Sequence, residues 1–193
     1  PKSAEFEQKF AEYVNAKYCI GLNSATSALH LALKVLDIGP GDEVISTPIT
    51  FVSTNHAILY CGATPVFADI EQSGNLDPES VETKITKKSK AIMVVHYSGR
   101  PANLNKFYEI SRKYNIPLIE DCAHACGAEY NDKKIGGTGL LHCFSFHAVK
   151  NLPMGDGGAI TTNNPIYAER LKKLRWLGIN KDTYSRAGSV GGG

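Results

Sequence analysis

The apolar positions of this chain change period repeatedly. Phe6, Phe10, Tyr13 and Val14 recur at helical spacing, which predicts an amphipathic helix over residues 3–16 with Ser3 as its cap. Residues 18–22 form a short apolar run and read as a strand. A second helix opens at Ser24, with Leu29, Leu33 and Leu36 on one face, and the Gly39-Pro40-Gly41-Asp42 segment stops it. The same alternation predicts strands over 43–47 and 65–70 and a helix over 52–60. A further helix starts at Asp77, with Pro78 in its first turn. Residues 91–95 and 117–121 read as buried strands around a helix over 104–114. Beyond Gly127 the pattern shortens to strands over 128–130, 141–146 and 159–162, and a last helix covers about 165–177.

Strands that alternate with helices imply βαβ units. The expected fold is therefore α/β, a three-layer α/β/α arrangement on a mostly parallel sheet with helices on both faces. In such sheets ligands bind beyond the carboxyl ends of the strands, so candidate chemistry belongs just after each strand. With 193 residues, 42% of them apolar, one domain is expected. Lys and Arg total 21 against 19 Asp and Glu, leaving +2, and there is no basic run, so nucleic acid is not an expected partner. No apolar stretch has the length of a membrane span. The five cysteines, Cys19, Cys61, Cys122, Cys126 and Cys143, are odd in number and form no C-x-x-C pair; they fit thiols in a reducing, cytoplasmic setting. The histidines have no metal-ligand spacing, and no metal is expected.

Three strand ends carry candidate chemistry. Asn23-Ser24-Ala25-Thr26 lies where a strand turns into a helix, so backbone N–H groups, the helix dipole and two hydroxyls could seat a phosphate, although Ser and Thr there also serve simply as caps. Asp121 ends the strand over 117–121; a carboxylate there could keep a pyridine nitrogen protonated, or merely terminate the strand. Phe144-Ser145-Phe146-His147-Ala148-Val149-Lys150-Asn151-Leu152, followed by Gly155-Asp156-Gly157-Gly158, delivers one lysine on a loop whose glycines permit close backbone approach. Buried lysines with a lowered pKa form Schiff bases; the commoner fate of a lysine is a surface turn.

The order of these sites, together with Gly41-Asp42-Glu43-Val44-Ile45, Thr50-Phe51, Gly62-Ala63-Thr64-Pro65-Val66-Phe67, Glu120-Asp121-Cys122-Ala123-His124-Ala125 and Ser145-Phe146-His147-Ala148-Val149-Lys150-Asn151, resembles the large domain of the DegT/DnrJ/StrS family of pyridoxal-phosphate (PLP)-dependent nucleotide-sugar aminotransferases. That family has the aspartate aminotransferase (type I) fold. The resemblance implies that Lys150 holds PLP as a Schiff base and shuttles a proton, and that Asp121 pairs with the ring nitrogen. It further implies that Ala25, Thr26 and Ser145 hold the phosphate, that Phe51 stacks on the ring, and that His124 stands near the cofactor. His147, Asn151 and Arg100 are neighbours by the same analogy. Ala25 stands where the family usually has Gly, a change that a helical φ accepts.

The implied activity is transfer of an amino group, typically from glutamate, to a keto group of a nucleotide-linked sugar, in polysaccharide or amino-sugar biosynthesis, by a homodimer. Two alternatives are a PLP-dependent sugar dehydratase on the same scaffold, in which a histidine replaces the lysine, and an inactive or regulatory chain that keeps the fold. A dinucleotide-binding dehydrogenase would need G-x-G-x-x-G after the first strand, where Asn23-Ser24-Ala25-Thr26 stands instead. The start at Pro1 and the run over 187–193 lead to the expectation of a fragment: residues 1–186 as a PLP-binding large domain lacking its N-terminal segment and small domain, then a flexible Gly-rich tail.

Overall fold

A computed structural model describes residues 2–179. The expected tail over 187–193 and the end of the expected domain lie outside the described residues. In chain order the elements are α1 (Lys2–Val14), β1 (Tyr18–Leu22), α2 (Ala25–Val35), β2 (Glu43–Ser46), α3 (Ser53–Tyr60), β3 (Thr64–Phe67), α4 (Pro78–Thr83) and β4 (Ser89–Val95). They continue with α5 (Leu104–Tyr114), β5 (Leu118–Asp121), β6 (Glu129–Tyr130), β7 (Lys133–Lys134), β8 (Leu141–Ser145), β9 (Gly158–Thr162) and α6 (Pro165–Leu174). A 3-10 turn, Tyr97–Gly99, follows β4.

Seven strands form one sheet in the order β1-β9-β8-β5-β4-β2-β3. Strands β3, β2, β4, β5 and β8 pair in parallel, and β9 runs antiparallel between β8 and β1. The fold is thus α/β with a mostly parallel sheet. Successive residues on a strand face opposite sides, and here that alternation sorts the chain into two cores. Leu118, Ile92, Val94, Ile45 and Phe144 pack on one face with Phe10 of α1 and Phe107 of α5. Ile119, Ala91, Met93, Val44 and Cys143 pack on the other, with Leu29 and Leu33 of α2, Ile58 of α3 and Leu171 of α6.

Local chemistry sets the element ends. Ser24, extended at φ −166°, accepts the Ser27 N–H and caps α2; Asp77 and Asn164 cap α4 and α6, each with proline in the first turn. Three expected boundaries move. The first helix stops at Val14 because Asn15 adopts φ 59°, and the last stops at Leu174, with Leu177 at φ 57°. The strand expected over 65–70 covers Thr64–Phe67 only, because β3 is an edge paired solely with β2; Ile70 keeps a single bridge to Leu76. The pattern also missed β7, which pairs with β6 in a two-residue ladder too short to show a period.

Candidate functional site

The parallel strands β2, β4, β5 and β8 all end on one side of the sheet, and a cavity of about 670 Å³ opens there. All seven residues singled out from the sequence line it: Ala25, Thr26, Phe51, Asp121, His124, Ser145 and Lys150. His147 lines it as well, whereas Asn151 and Arg100 are exposed and lie beyond the lining. A groove of about 780 Å³ at the opposite ends of the strands, by Lys87 and Arg170, contains none of these residues.

Asp121 is built in from three sides. Its carbonyl accepts the His96 N–H (3.1 Å) and the Cys122 N–H bonds to the Cys143 carbonyl (2.8 Å), which ties this end of β5 to both neighbours. Its side chain, on the α3 face, accepts Thr54 Oγ1 at Oδ2 (2.8 Å) and the Ala123 N–H at Oδ1 (3.1 Å). Burial pushes the Asp121 carboxyl above its ordinary value; the two hydrogen bonds, and His96 and His124 beside it, work in the opposite direction. Burial also holds His124 below the usual histidine value. The nearby Lys150 charge adds to that lowering and Asp121 opposes it, so His124 favours the neutral imidazole.

Glu120, one residue earlier, faces the α5 side. His96 Nε2 lies 3.1 Å from its Oε2, and Tyr108 donates its hydroxyl to Oε1 at 2.9 Å. Burial alone would raise this carboxyl, but His142 and His96 outweigh burial and hold it below its ordinary value. Among the described residues, His96, Glu120 and Cys122 come near enough to share a metal ion. The hydrogen bonds oppose that use. The Ala102 N–H donates to His96 Nδ1 at 3.1 Å, so the ring proton sits on Nε2, where a metal would need the lone pair.

Lys150 rides on the loop that joins β8 to antiparallel β9. Three main-chain bonds shape the loop: Phe146 N–H to Gly157 O (2.9 Å), Met154 N–H to Phe146 O (2.8 Å) and Lys150 N–H to His147 O (2.9 Å). At its far end Gly158 passes against the start of α2. A β-carbon there would lie 2.3 Å from the Ser24 carbonyl carbon and oxygen and 2.7 Å from the Ala25 nitrogen. The glycine lets the lysine loop and the amino end of α2 share one wall.

That amino end can take an anion. The Ser24 hydroxyl occupies the Ser27 N–H, while the N–H groups of Ala25 and Thr26 have no acceptor within the helix. Ala25 is the first residue of α2 and is absent from the left-handed positions, so its methyl is accommodated. Thr26 Oγ1 donates to Ser53 Oγ at the start of α3 (2.8 Å), which brings two helix starts to one corner of the cavity. Phe51 is 73% exposed and lines the same cavity.

Sequence reasoning named Thr50 without a role and missed Ser53 and Thr54 after β2 and His96, Tyr97 and Ser98 after β4, which also line the cavity. The strand-end criterion covers both exits, but these residue types have no distinguishing spacing.

The chain resembles proteins of known type. It is 41% identical to the spore coat polysaccharide biosynthesis protein SpsC of Bacillus subtilis over 99% of its own length and 49% of that protein's. The crystal structure of S. venezuelae DesV in complex with a ketimine intermediate superposes with a TM-score of 0.91 at 40% identity, covering 94% of this chain and 49% of that one. The PLP form of Spr1654 from Streptococcus pneumoniae superposes at 0.85 with 33% identity, covering 90% and 50%. The chain spans about half the length of the curated relatives it matches. The model of the DegT/DnrJ/EryC1/StrS aminotransferase family matches residues 1–191, and the chain belongs to that family.

Proposed function

We propose that this chain is the cofactor-binding part of a PLP-dependent aminotransferase that moves an amino group, taken from glutamate, onto a keto group of a nucleotide-linked sugar. One observation carries the reading: a buried strand-end carboxylate, a lysine on a loop and an anion-accepting helix start line the same cavity. The residues fit the cofactor's chemistry. Ala25, Thr26 and Ser145 would hold its phosphate, Asp121 the protonated ring nitrogen, Phe51 the ring face and Lys150 the aldehyde carbon. When bound, PLP supplies an electron sink for the carbon that gains or loses the amino group.

The protein's own groups do the rest. The Lys150 amine accepts a proton from that carbon and returns one on the opposite pass. Asp121 keeps a negative charge beneath the cavity, where burial makes that charge effective against a cation. His124, as a neutral imidazole, can donate or accept without competing for charge. Lys150 also bears on the dehydratase alternative, in which a histidine takes the lysine's place.

The proposal extends to a homodimer working in the cytoplasm, with the rest of the protein supplying a small domain. Exposed Phe51, Val52, Val149 and Met154 beside the cavity support a covered mouth, and the five cysteines form no disulfide. No described helix is long and apolar enough to cross a membrane.

The test is to add PLP, record the visible absorption, reduce with borohydride and map the modified peptide by mass. A covalent adduct on Lys150 is expected. An adduct on a different lysine, or none, would overturn the reading.

A further inference from the structure

Asp121 is the inner end of a chain of two hydroxyls. Thr54, buried in the first turn of α3, donates from Oγ1 to Asp121 Oδ2 at 2.8 Å, and Thr50 Oγ1 lies 2.7 Å from Thr54 Oγ1. Each hydroxyl has a single proton to give. While Asp121 is ionised, the Thr54 proton is committed to the carboxylate. Thr50 must then donate to Thr54, and it turns only lone pairs toward the cavity that it lines. With a proton on Oδ2 the chain reverses: Asp121 donates to Thr54, Thr54 donates to Thr50, and the Thr50 proton becomes available to the cavity. Neither threonine gains or loses a proton in the change; the only proton exchanged with the surroundings is the one on Asp121.

We propose that Thr54 is a positioning residue that keeps Asp121 ionised and oriented toward the cofactor's ring nitrogen, and that Thr50 presents the charge state of Asp121 to the cavity as an acceptor or a donor. The inference rests on the PLP reading above. Two observations support it independently of any likeness. Each oxygen of Asp121 has one protein donor, so the carboxylate is oriented without being saturated. Among the described residues, Thr54 is the one side chain that donates a hydrogen bond to this carboxylate, which burial pushes toward its neutral form. The other groups around Asp121 are His96 from the β4 exit, His124 in the loop beyond β5, Cys143 on β8, Glu120 on its own strand and Cys122 just past the end of that strand. None of these reaches Oδ2 in the way Thr54 does.

The test compares Thr54→Val, which removes the hydroxyl at constant shape, with Thr54→Ser, which keeps it, and with Thr50→Val, which removes the outer donor. The first readout is the carboxyl titration of Asp121 by carbon NMR in the chain without cofactor. The second is the affinity for PLP and for its 1-deaza analogue, in which a C–H replaces the ring nitrogen. In Thr54→Val, Asp121 should titrate at higher pH than in the parent and PLP should bind about tenfold more weakly, while the analogue binds both proteins alike. Thr54→Ser should restore both readouts, and Thr50→Val should move the titration the same way by less. An unchanged Asp121 titration in Thr54→Val, or equal losses for PLP and the analogue, would overturn the proposal, since the second result is that of a purely structural threonine. If the parent chain binds no PLP, the functional reading fails and the orientation toward a ring nitrogen fails with it, while the Asp121 titration still decides whether Thr54 holds the carboxyl ionised.

Discussion

Glu120 and Asp121 are consecutive buried carboxylates on one strand, yet the protein uses them in opposite ways. The pleat sends Glu120 to the α5 face and Asp121 to the α3 face. Glu120 meets His96, Tyr108 and His142; burial works to raise its carboxyl, and the two histidines outweigh burial and hold it below its ordinary value. Asp121 meets one hydroxyl and one N–H, and burial dominates, so its carboxyl is raised. The satisfied carboxylate is structural: it joins β4, β5, β8 and α5. The incompletely satisfied one retains capacity for a further partner and borders the cavity. Residue type does not separate them; the face of the sheet does.

The largest expected difference between the two is in folding. Glu120→Ala leaves the buried His96 Nε2 without its acceptor and takes one of two partners from the Tyr108 hydroxyl, and should cost about 3–5 kcal/mol in urea unfolding. A loss below about 1 kcal/mol would remove the structural role assigned to Glu120.

The next contrast is in acid. A lowered carboxyl contributes stability above its ordinary pKa and loses it as pH falls through the folded value; for Glu120 that loss begins only below its ordinary 4.5. A raised carboxyl does the reverse. In the folded protein Asp121 takes up its proton above its ordinary 3.8, so mild acid relieves a cost that is present at neutral pH. The stability gap between the parent and Asp121→Asn should therefore change in milder acid than the gap between the parent and Glu120→Gln. Urea midpoints measured down the acid limb decide this, and coincident windows would erase the distinction.

The smallest expected effect is that of Asp121→Asn on stability at neutral pH, within about 1 kcal/mol of the parent, because the amide oxygen still accepts the Ala123 N–H, Thr54 can accept from the new amide and donate to Thr50, and an unfavourable buried charge is removed. The same variant should bind PLP at least tenfold more weakly. Thermal unfolding and a PLP titration on one preparation test the pair of outcomes. Equal losses of stability in Asp121→Asn and Glu120→Ala would mean that both carboxylates are structural.

Much of this arrangement was legible along the chain. The periods of Phe6 to Val14 and of Leu29, Leu33 and Leu36 marked the first two helices, because a helix that covers a sheet must repeat its apolar face. Proline after Asp77 marked a later start. The Ser24 turn, Asp121 and Lys150 could be found because ligands gather at strand ends, and their order led to the family. Less legible were pieces whose meaning comes from contacts distant in sequence. Thr54 reads as one more threonine near a helix start, and only the packing of α3 on β5 brings it to Asp121, 67 residues away. Gly158 reads as a loop glycine until β9 inserts antiparallel between β1 and β8 and presses it on Ser24.

The sequence by itself determined most of the elements, the α/β class, the two-sided burial and the candidate residues, because those follow from local period, capping and the residues that end each strand. Tertiary structure alone decided the strand order, the antiparallel insertion of β9, the tautomer of His96 and the division of labour between Glu120 and Asp121. Those depend on which distant group supplies each proton and how much water is excluded, and both quantities exist only once the sheet has assembled.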